Sequence, residues 1–323
     1  MRTTHRSEVA STGRSQKDTG MILITGASGS VGRSVLEEIR TVQSRSPVAL
    51  GRIRAMYRNP EESRKVPAGV ASVTADFANR DSLAKALEGV DIAYLVCSPI
   101  PELVQLEHNF IEAAMQASVS HIVLSSALGA KDYPKSFPAW HRKVEDKLKS
   151  CGVAFTILQP NSFMQNISAY FAPSIRAQNV FYCSMGNAKT SFVDVRDIAS
   201  AATRILLAPA QHAGKTYELN GPEALSYEEV AARISRLASR RVQYVDIPFE
   251  AQHKALLDMA MPIWQVNALL DLQRYYVLEG KGAEVTGVLE GLLGRPPIHF
   301  DQFLDQNKDS FRSSVVDGYN KEN

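Results

Sequence analysis

The sequence predicts an α/β fold: a doubly wound parallel sheet with a smaller, mostly helical C-terminal lobe. Three observations predict it. Short apolar or β-branched runs recur from Met21 to Pro160 and alternate with segments of helical period, the pattern that forces a parallel sheet covered by helices on both faces. The first run opens directly into a glycine-spaced turn. Beyond Pro160 the alternation loosens, and the chain from Phe249 to Phe311 is mainly helical in character.

Taken in order, residues 1–20 are polar, rich in Ser, Thr and Arg, and lack the apolar stretch of a secretory signal, so a disordered extension is expected there. Glu8, Asp18 and the missing amphipathic period argue against a transit peptide. The expected strands are Ile22–Thr25, Ile53–Tyr57, Ala71–Thr74, Ile92–Cys97, Ile122–Ser125 and Phe155–Leu158, each short and followed by turn-forming residues. Ser82–Leu87 and Leu103–Ala117 carry apolar residues at three- and four-residue spacing and read as crossover helices. Residues 21–160 are therefore expected to form a dinucleotide-binding domain, and 161–311 a substrate-side lobe with some segments returning to the first core. In that lobe Phe192–Val195 reads as a strand and Asp197 to Leu207 as a helix. Glu228–Leu237 reads as a second helix, with Ser226 as N-cap and Glu229 completing a capping box. Gln243–Ile247 reads as a strand, Gly294–Pro297 breaks the helical run, and 312–323 is expected to be a flexible tail.

Charge and composition narrow the function. Lys and Arg (36) nearly balance Asp and Glu (34), so no basic surface calls for nucleic acid. The three cysteines, Cys97, Cys151 and Cys183, lack metal-ligand spacing, and no metal site is expected. No window approaches the roughly 18 apolar residues of a membrane span. The expectation is a cytoplasmic monomer or homodimer acting on a small molecule, with no nucleic-acid or membrane partner.

The chemistry starts at Ile22-Leu-Ile-Thr-Gly-Ala-Ser-Gly-Ser-Val-Gly32, a buried strand that runs into a helix through three spaced glycines. Gly26 permits the tight turn, Gly29 lets the main chain approach a pyrophosphate, and Gly32 lets the helix pack on the strand. Ser28, Ser30 and Val31 fill the same turn, at the helix N-terminus, where free N–H groups and the dipole favour an anion. The second strand ends on Arg58 with no acidic residue, which points to the 2′-phosphate of NADP(H) rather than a bare ribose; an exposed surface arginine is the other reading. Arg33 stands in the first turn of the helix as a second cation. Asp76, with Phe77 beside it, suits either a place at the adenine or a helix N-cap.

These residues, with RNP after the second strand, ADF after the third, SVSHIVLSSALGA, FTILQPNSFMQN, FVDVRDIA, GKTYELNGPEALSYEEVA and GRPPIHFDQF, resemble the atypical short-chain dehydrogenase/reductases of the NmrA-like and isoflavone-reductase-like kind. The resemblance covers residues 21 to about 311 and implies a Rossmann fold. It places Val96, Cys97 and Ser98 along the cofactor, Pro160, Asn161, Ser162 and Phe163 near the nicotinamide, and Ser125 at the usual serine position. Lys143 matches the lysine that holds the cofactor ribose in this group and sometimes assists proton transfer. The YxxxK tyrosine of most such reductases is missing, because Ala139 stands four residues before Lys143. Lys143, His141, water or the substrate must then supply the proton, and His141 has the better intrinsic pKa. Both side chains also read as ordinary helix-surface residues. Trp140, Phe163, Tyr170, Trp264, Tyr275 and Tyr276 read as an apolar wall for a planar substrate or simply as core.

The resulting expectation is an NADPH-dependent reductase that passes hydride to a small conjugated or aromatic acceptor of the quinone, enone or imine type. A non-catalytic NADP(H) sensor and a cofactor-retaining isomerase or cyclase are the alternatives.

Overall fold

The expected βα runs pair side by side in a computed structural model that describes residues 20–45 and 52–312. The first half runs β1 (Met21–Ile24), α1 (Ser30–Arg45), β2 (Ile53–Tyr57), α2 (Pro60–Ser63), β3 (Ala71–Thr74), α3 (Arg80–Leu87), β4 (Val90–Leu95), α4 (Leu103–Gln116), β5 (His121–Ser125), α5 (Ser136–Ser150) and β6 (Ala154–Pro160). The second half runs α6 (Met164–Gln178), β7 (Val180–Cys183), β8 (Lys189–Thr190), α7 (Val195–Leu207), β9 (Lys215–Leu219), β10 (Leu225–Ser226), α8 (Tyr227–Ala238) and β11 (Gln243–Asp246). It closes with α9 (Phe249–Asp258), α10 (Ile263–Glu279), α11 (Val288–Leu293), α12 (Phe300–Gln306) and α13 (Lys308–Phe311). The expectations for 1–19 and 313–323 lie outside the described residues.

Seven strands form one sheet in the order β3-β2-β1-β4-β5-β6-β9, every pairing parallel. Alternation along β1 explains why both faces are covered. Ile22 and Ile24 join one core cluster with Val35 and Ile39 of α1 and Ile198 of α7, while Met21 and Leu23 join another with Leu83 of α3, Phe110 of α4 and Val144 of α5. The strand order reverses between β1 and β4, and in an open parallel sheet such a switch point leaves a crevice outside the carboxyl ends of the strands.

Beyond residue 161, β9 extends the large sheet beside β6, α7 packs on α1, and α11 packs on α7. Tyr217 and Glu218 are only half-buried and Lys215 is exposed, because β9 is an edge strand; its mixed pattern hides it from a search for apolar runs. β7 escapes for a similar reason and pairs with β11 in a small separate sheet. Phe192–Val195 is not a strand: Val193 makes a single bridge to Phe163, and the Asp194 side chain accepts from the Arg196 N–H to start α7 at Val195. The Ser226–Glu229 capping box does open α8, and Gly294, at φ +61°, ends α11 at the expected break.

Candidate functional site

The site begins where β1 stops. Thr25 Oγ1 lies 3.0 Å and 3.1 Å from the carbonyls of Tyr94 and Val96 and accepts the Val96 N–H at 2.9 Å, fastening the ends of β1 and β4 across the switch point. Gly26 turns the chain at φ +56°, and the Gly29 N–H donates to the Gly26 carbonyl at 2.9 Å to close the turn. A Cβ on Gly32 would lie 2.3 Å from that same carbonyl, so only glycine lets α1 start so close to the strand. A Cβ on Gly29 meets only the Gly26 carbonyl, at 3.3 Å, and otherwise faces open space. The N–H groups of Ser28, Ser30, Val31 and Gly32 make no main-chain hydrogen bond among the described residues. Free donors, an open glycine face and the N-terminus of a 16-residue helix form a cradle that fits a dinucleotide pyrophosphate.

From this cradle a cleft of about 630 Å³ runs along the carboxyl ends of the strands. Arg58, exposed at the end of β2, lines it and makes no ion pair or hydrogen bond among the described residues. Arg33 instead turns back on the loop, donating from Nη2 to the Ser28 carbonyl at 2.8 Å. Asp76 does not cap α3: Asn79 does, accepting from the Ser82 N–H, while Asp76 accepts the Ala78 N–H at 2.8 Å. Phe77, buried edge-to-face against Phe110, forms the floor there, and Met56, which sequence reasoning missed, lies beside it in the lining. Val96, Cys97, Ser98, Ser125, Pro160, Asn161, Ser162 and Phe163 all line the cleft. Burial and the nearby Glu107 push the Cys97 thiol up to about 12, so it stays protonated. Burial in α4 raises Glu107 itself to about 8, and neither carboxylate oxygen has a hydrogen-bond partner of good geometry among the described residues.

Lys143 is the main correction. It is exposed and does not line the cleft, and its carbonyl lies 3.2 Å from His108 Nε2. At about 100° per residue, a side chain two positions from His141 points to the opposite side of the helix. The cleft face of α5 carries Phe137, Pro138 and His141, and one turn beyond His141 comes Glu145. Glu145 is buried and was not anticipated; it accepts from Ser126 Oγ at 2.6 Å, Gln159 Nε2 at 2.7 Å and Lys149 Nζ at 3.0 Å. His141 is buried rather than on the helix surface, its Nδ1 has no hydrogen-bond partner, and burial pulls its pKa down to about 4 against the opposing pull of Glu145. It is therefore a neutral imidazole at physiological pH.

Trp140 and Trp264 are also displaced from their expected role. Neither lines the cleft; they pack on each other at 6.4 Å between α5 and α10, with Phe137 edge-on to Trp140 at 5.3 Å. Tyr275 likewise packs away from it, against Tyr133 at 4.6 Å. The apolar wall is made by Phe163, Tyr170 and Tyr276 together with Phe137, Leu269 and Leu272, the last three unanticipated. Leu269, Leu272 and Tyr276 share one face of α10, a three- and four-residue spacing that a periodicity search could have found.

A parallel sheet in this order, with a glycine cradle at its switch point and a cleft leading on to an apolar wall, defines a Rossmann-type dinucleotide-binding protein. The chain belongs to the NmrA-like family, whose sequence profile matches residues 18–309. It is 34% identical to an NAD(P)H azoreductase of Xenophilus azovorans over 90% of this chain and 99% of that protein. It is 30% identical to quinone oxidoreductase 2 of Escherichia coli over 78% of this chain and 86% of that protein. The crystal structure of the NADPH-dependent quinone oxidoreductase of Escherichia coli in complex with NADPH superposes with a TM-score of 0.81 at 28% identity, covering 89% of this chain and all of that one. Among the described residues no helix is long and apolar enough to cross a membrane.

Proposed function

We propose that this NADP(H)-dependent oxidoreductase passes hydride to small conjugated or aromatic acceptors of the quinone, enone, imine or azo type. The chain is an NAD(P)H-dependent oxidoreductase by kinship with the azoreductase and the quinone oxidoreductase. The observation that carries the acceptor class is the chemistry of the cleft's second half: an apolar aromatic wall with a neutral histidine and neutral hydroxyls and, among the described residues that line it, no side chain that gives up a proton near pH 7. Simple carbonyl reduction produces an alkoxide and needs a positioned acid. A quinone or enone delocalises the charge it gains, so water can deliver the proton afterwards.

Bound NADPH supplies the hydride. The free N–H groups of Ser28, Ser30, Val31 and Gly32 hold the pyrophosphate, and Arg58 takes the 2′-phosphate through charge-assisted hydrogen bonds. Phe77 walls the adenine side, and Ser125 and Pro160–Phe163 line the nicotinamide end. His141 offers a hydrogen bond without losing a proton, while Phe163, Tyr170 and Leu272 exclude water from the planar acceptor. Glu145 keeps the neighbouring Ser126 and Gln159 in place behind α5. The test is NADPH consumption with a panel of quinones, enones and azo compounds. Turnover with several is the expected result; tight NADPH binding with no turnover of any acceptor overturns the reading and leaves a cofactor sensor.

A further inference from the structure

The cleft carries a hydroxyl pair, Ser162 and Tyr276, to whose individual groups the reductase reading gives no hydrogen-bonding role. Tyr276 reaches from α10 so that its hydroxyl lies 3.2 Å from Ser162 Oγ, just past the end of β6. Both residues line the cleft, Ser162 half-buried and Tyr276 buried, with the Tyr276 hydroxyl 3.3 Å from the Asn161 Oδ1.

Asn161 fixes one end of this cluster. Its Nδ2 lies 2.9 Å from each of three acceptors, Ser191 Oγ, Asn220 Oδ1 and the Gly282 carbonyl, which fixes the orientation of the amide. Its Oδ1 therefore faces the Ser162 N–H at 2.7 Å and the Tyr276 hydroxyl. Tyr276 has one proton and two neighbours able to take it. With that proton on Asn161 Oδ1, Ser162 Oγ donates to the Tyr276 hydroxyl; when Tyr276 donates to Ser162 Oγ instead, the Ser162 proton is free to turn to an acceptor oxygen in the cleft. The backbone is held rigidly for this, since the Ser162 carbonyl accepts the Val193 N–H at 3.0 Å.

We propose that Ser162 is the hydrogen-bond donor to the acceptor's carbonyl oxygen, with Tyr276 as its positioning residue, in place of the missing YxxxK tyrosine. The proposal rests on the reductase reading above. A quinone that takes hydride from the reduced cofactor becomes a hydroquinone monoanion, and its oxygen later takes one proton from water. Ser162 stabilises the charge as it develops and keeps its own proton, as a preformed oxyanion site does. Burial pushes the Tyr276 phenol up to about 12, which suits a group that lends a hydrogen bond and does not ionise.

The test combines turnover of menadione, NADPH affinity, and menadione affinity of the NADP⁺-loaded protein. Ser162→Ala should lower turnover at saturation of both NADPH and menadione by about tenfold to a hundredfold and weaken menadione binding to the NADP⁺-loaded protein; Ser162→Thr should restore turnover. Tyr276→Phe should cause a smaller loss, and the double variant should turn over no more slowly than Ser162→Ala alone, a non-additivity that a purely structural tyrosine would not produce. Ser162→Ala with wild-type turnover and menadione affinity overturns the proposal, and multiplicative losses overturn the role of Tyr276. A wild-type protein that reduces no acceptor sinks the reductase reading instead, and the menadione titration then still reports whether Ser162 contacts a carbonyl.

Discussion

One half of the cleft offers main-chain N–H groups drawn from a single turn, Gly26–Gly32, whereas the other half is lined by side chains from α5, α6, α10 and the end of β6. The first half depends on the absence of side chains: a methyl group at Gly32 has nowhere to go. The second depends on which side chains are present and how helices dock, with Phe137 and Tyr276 facing one space from distant stretches of chain. The proposed phosphate cradle is thus tied to the fold, while the proposed acceptor wall can change shape without disturbing the turn.

The largest effect should come from filling the cradle. Gly29→Val places a branched side chain where the pyrophosphate approaches but meets little protein, so NADPH affinity should fall by about a hundredfold or more while the melting temperature stays nearly unchanged. Titration calorimetry and a thermal melt on the same sample check this. Retained tight binding would break the contrast between the halves.

Arg58→Ala tests the charged side chain proposed for the 2′-phosphate. Losing a charge-assisted contact should cost about 1.5–3 kcal/mol, or roughly tenfold to a hundredfold in affinity for NADPH, with NADH little affected. Equal weakening of both cofactors would refute the assignment.

Glu107 probes the buried layer under Cys97. Its folded pKa of about 8 lies above the ordinary 4.5, so the folded protein holds a proton that the unfolded chain releases. Stability should therefore fall as pH rises from 4.5 through 8, by at most about 1.4 kcal/mol per pH unit. His121 and His141, both held down to about 4 by burial, act in the other direction, adding stability as pH rises from 4 to 6.5. Between pH 6.5 and 8 the Glu107 slope should stand alone, and Glu107→Gln should flatten it in urea unfolding. The same slope in both proteins would show that Glu107 titrates normally.

The smallest effect sharpens the comparison from the acceptor side. Lys143→Met should leave NADPH affinity and turnover within about twofold of wild type, because the side chain faces solvent. A larger change in either, measured in single-turnover and binding experiments, would mean that α5 rotates when the cofactor binds.

Lys143 also marks where sequence reasoning stopped. Counting back to Ala139 assumed that the helix presents a YxxxK face to the cofactor. The stripe Phe137, His141, Val144 and Leu148 carried the opposite phase in plain three- and four-residue spacing, and that stripe packs inward. His141 is legible in the sequence for its chemistry, whereas Glu145 one turn on is not, since a glutamate on a charged helix reads as surface until its partners are known. Trp140 and Trp264 looked like substrate contacts because aromatic size is visible in a sequence and direction is not.

What the sequence determined alone was whatever depends on neighbours in the chain. The positions of the first six strands, the glycine turn, Arg58 just after the second strand and the Ser226 capping box are local in this sense, each set by a few consecutive residues and by backbone sterics. The edge strand β9, the phase of α5 and the acceptor wall were decided only in three dimensions. A half-buried edge carries no clean period, and the direction of a helical side chain relative to a cleft depends on how α10 docks against α5, an arrangement set by packing between residues more than a hundred positions apart.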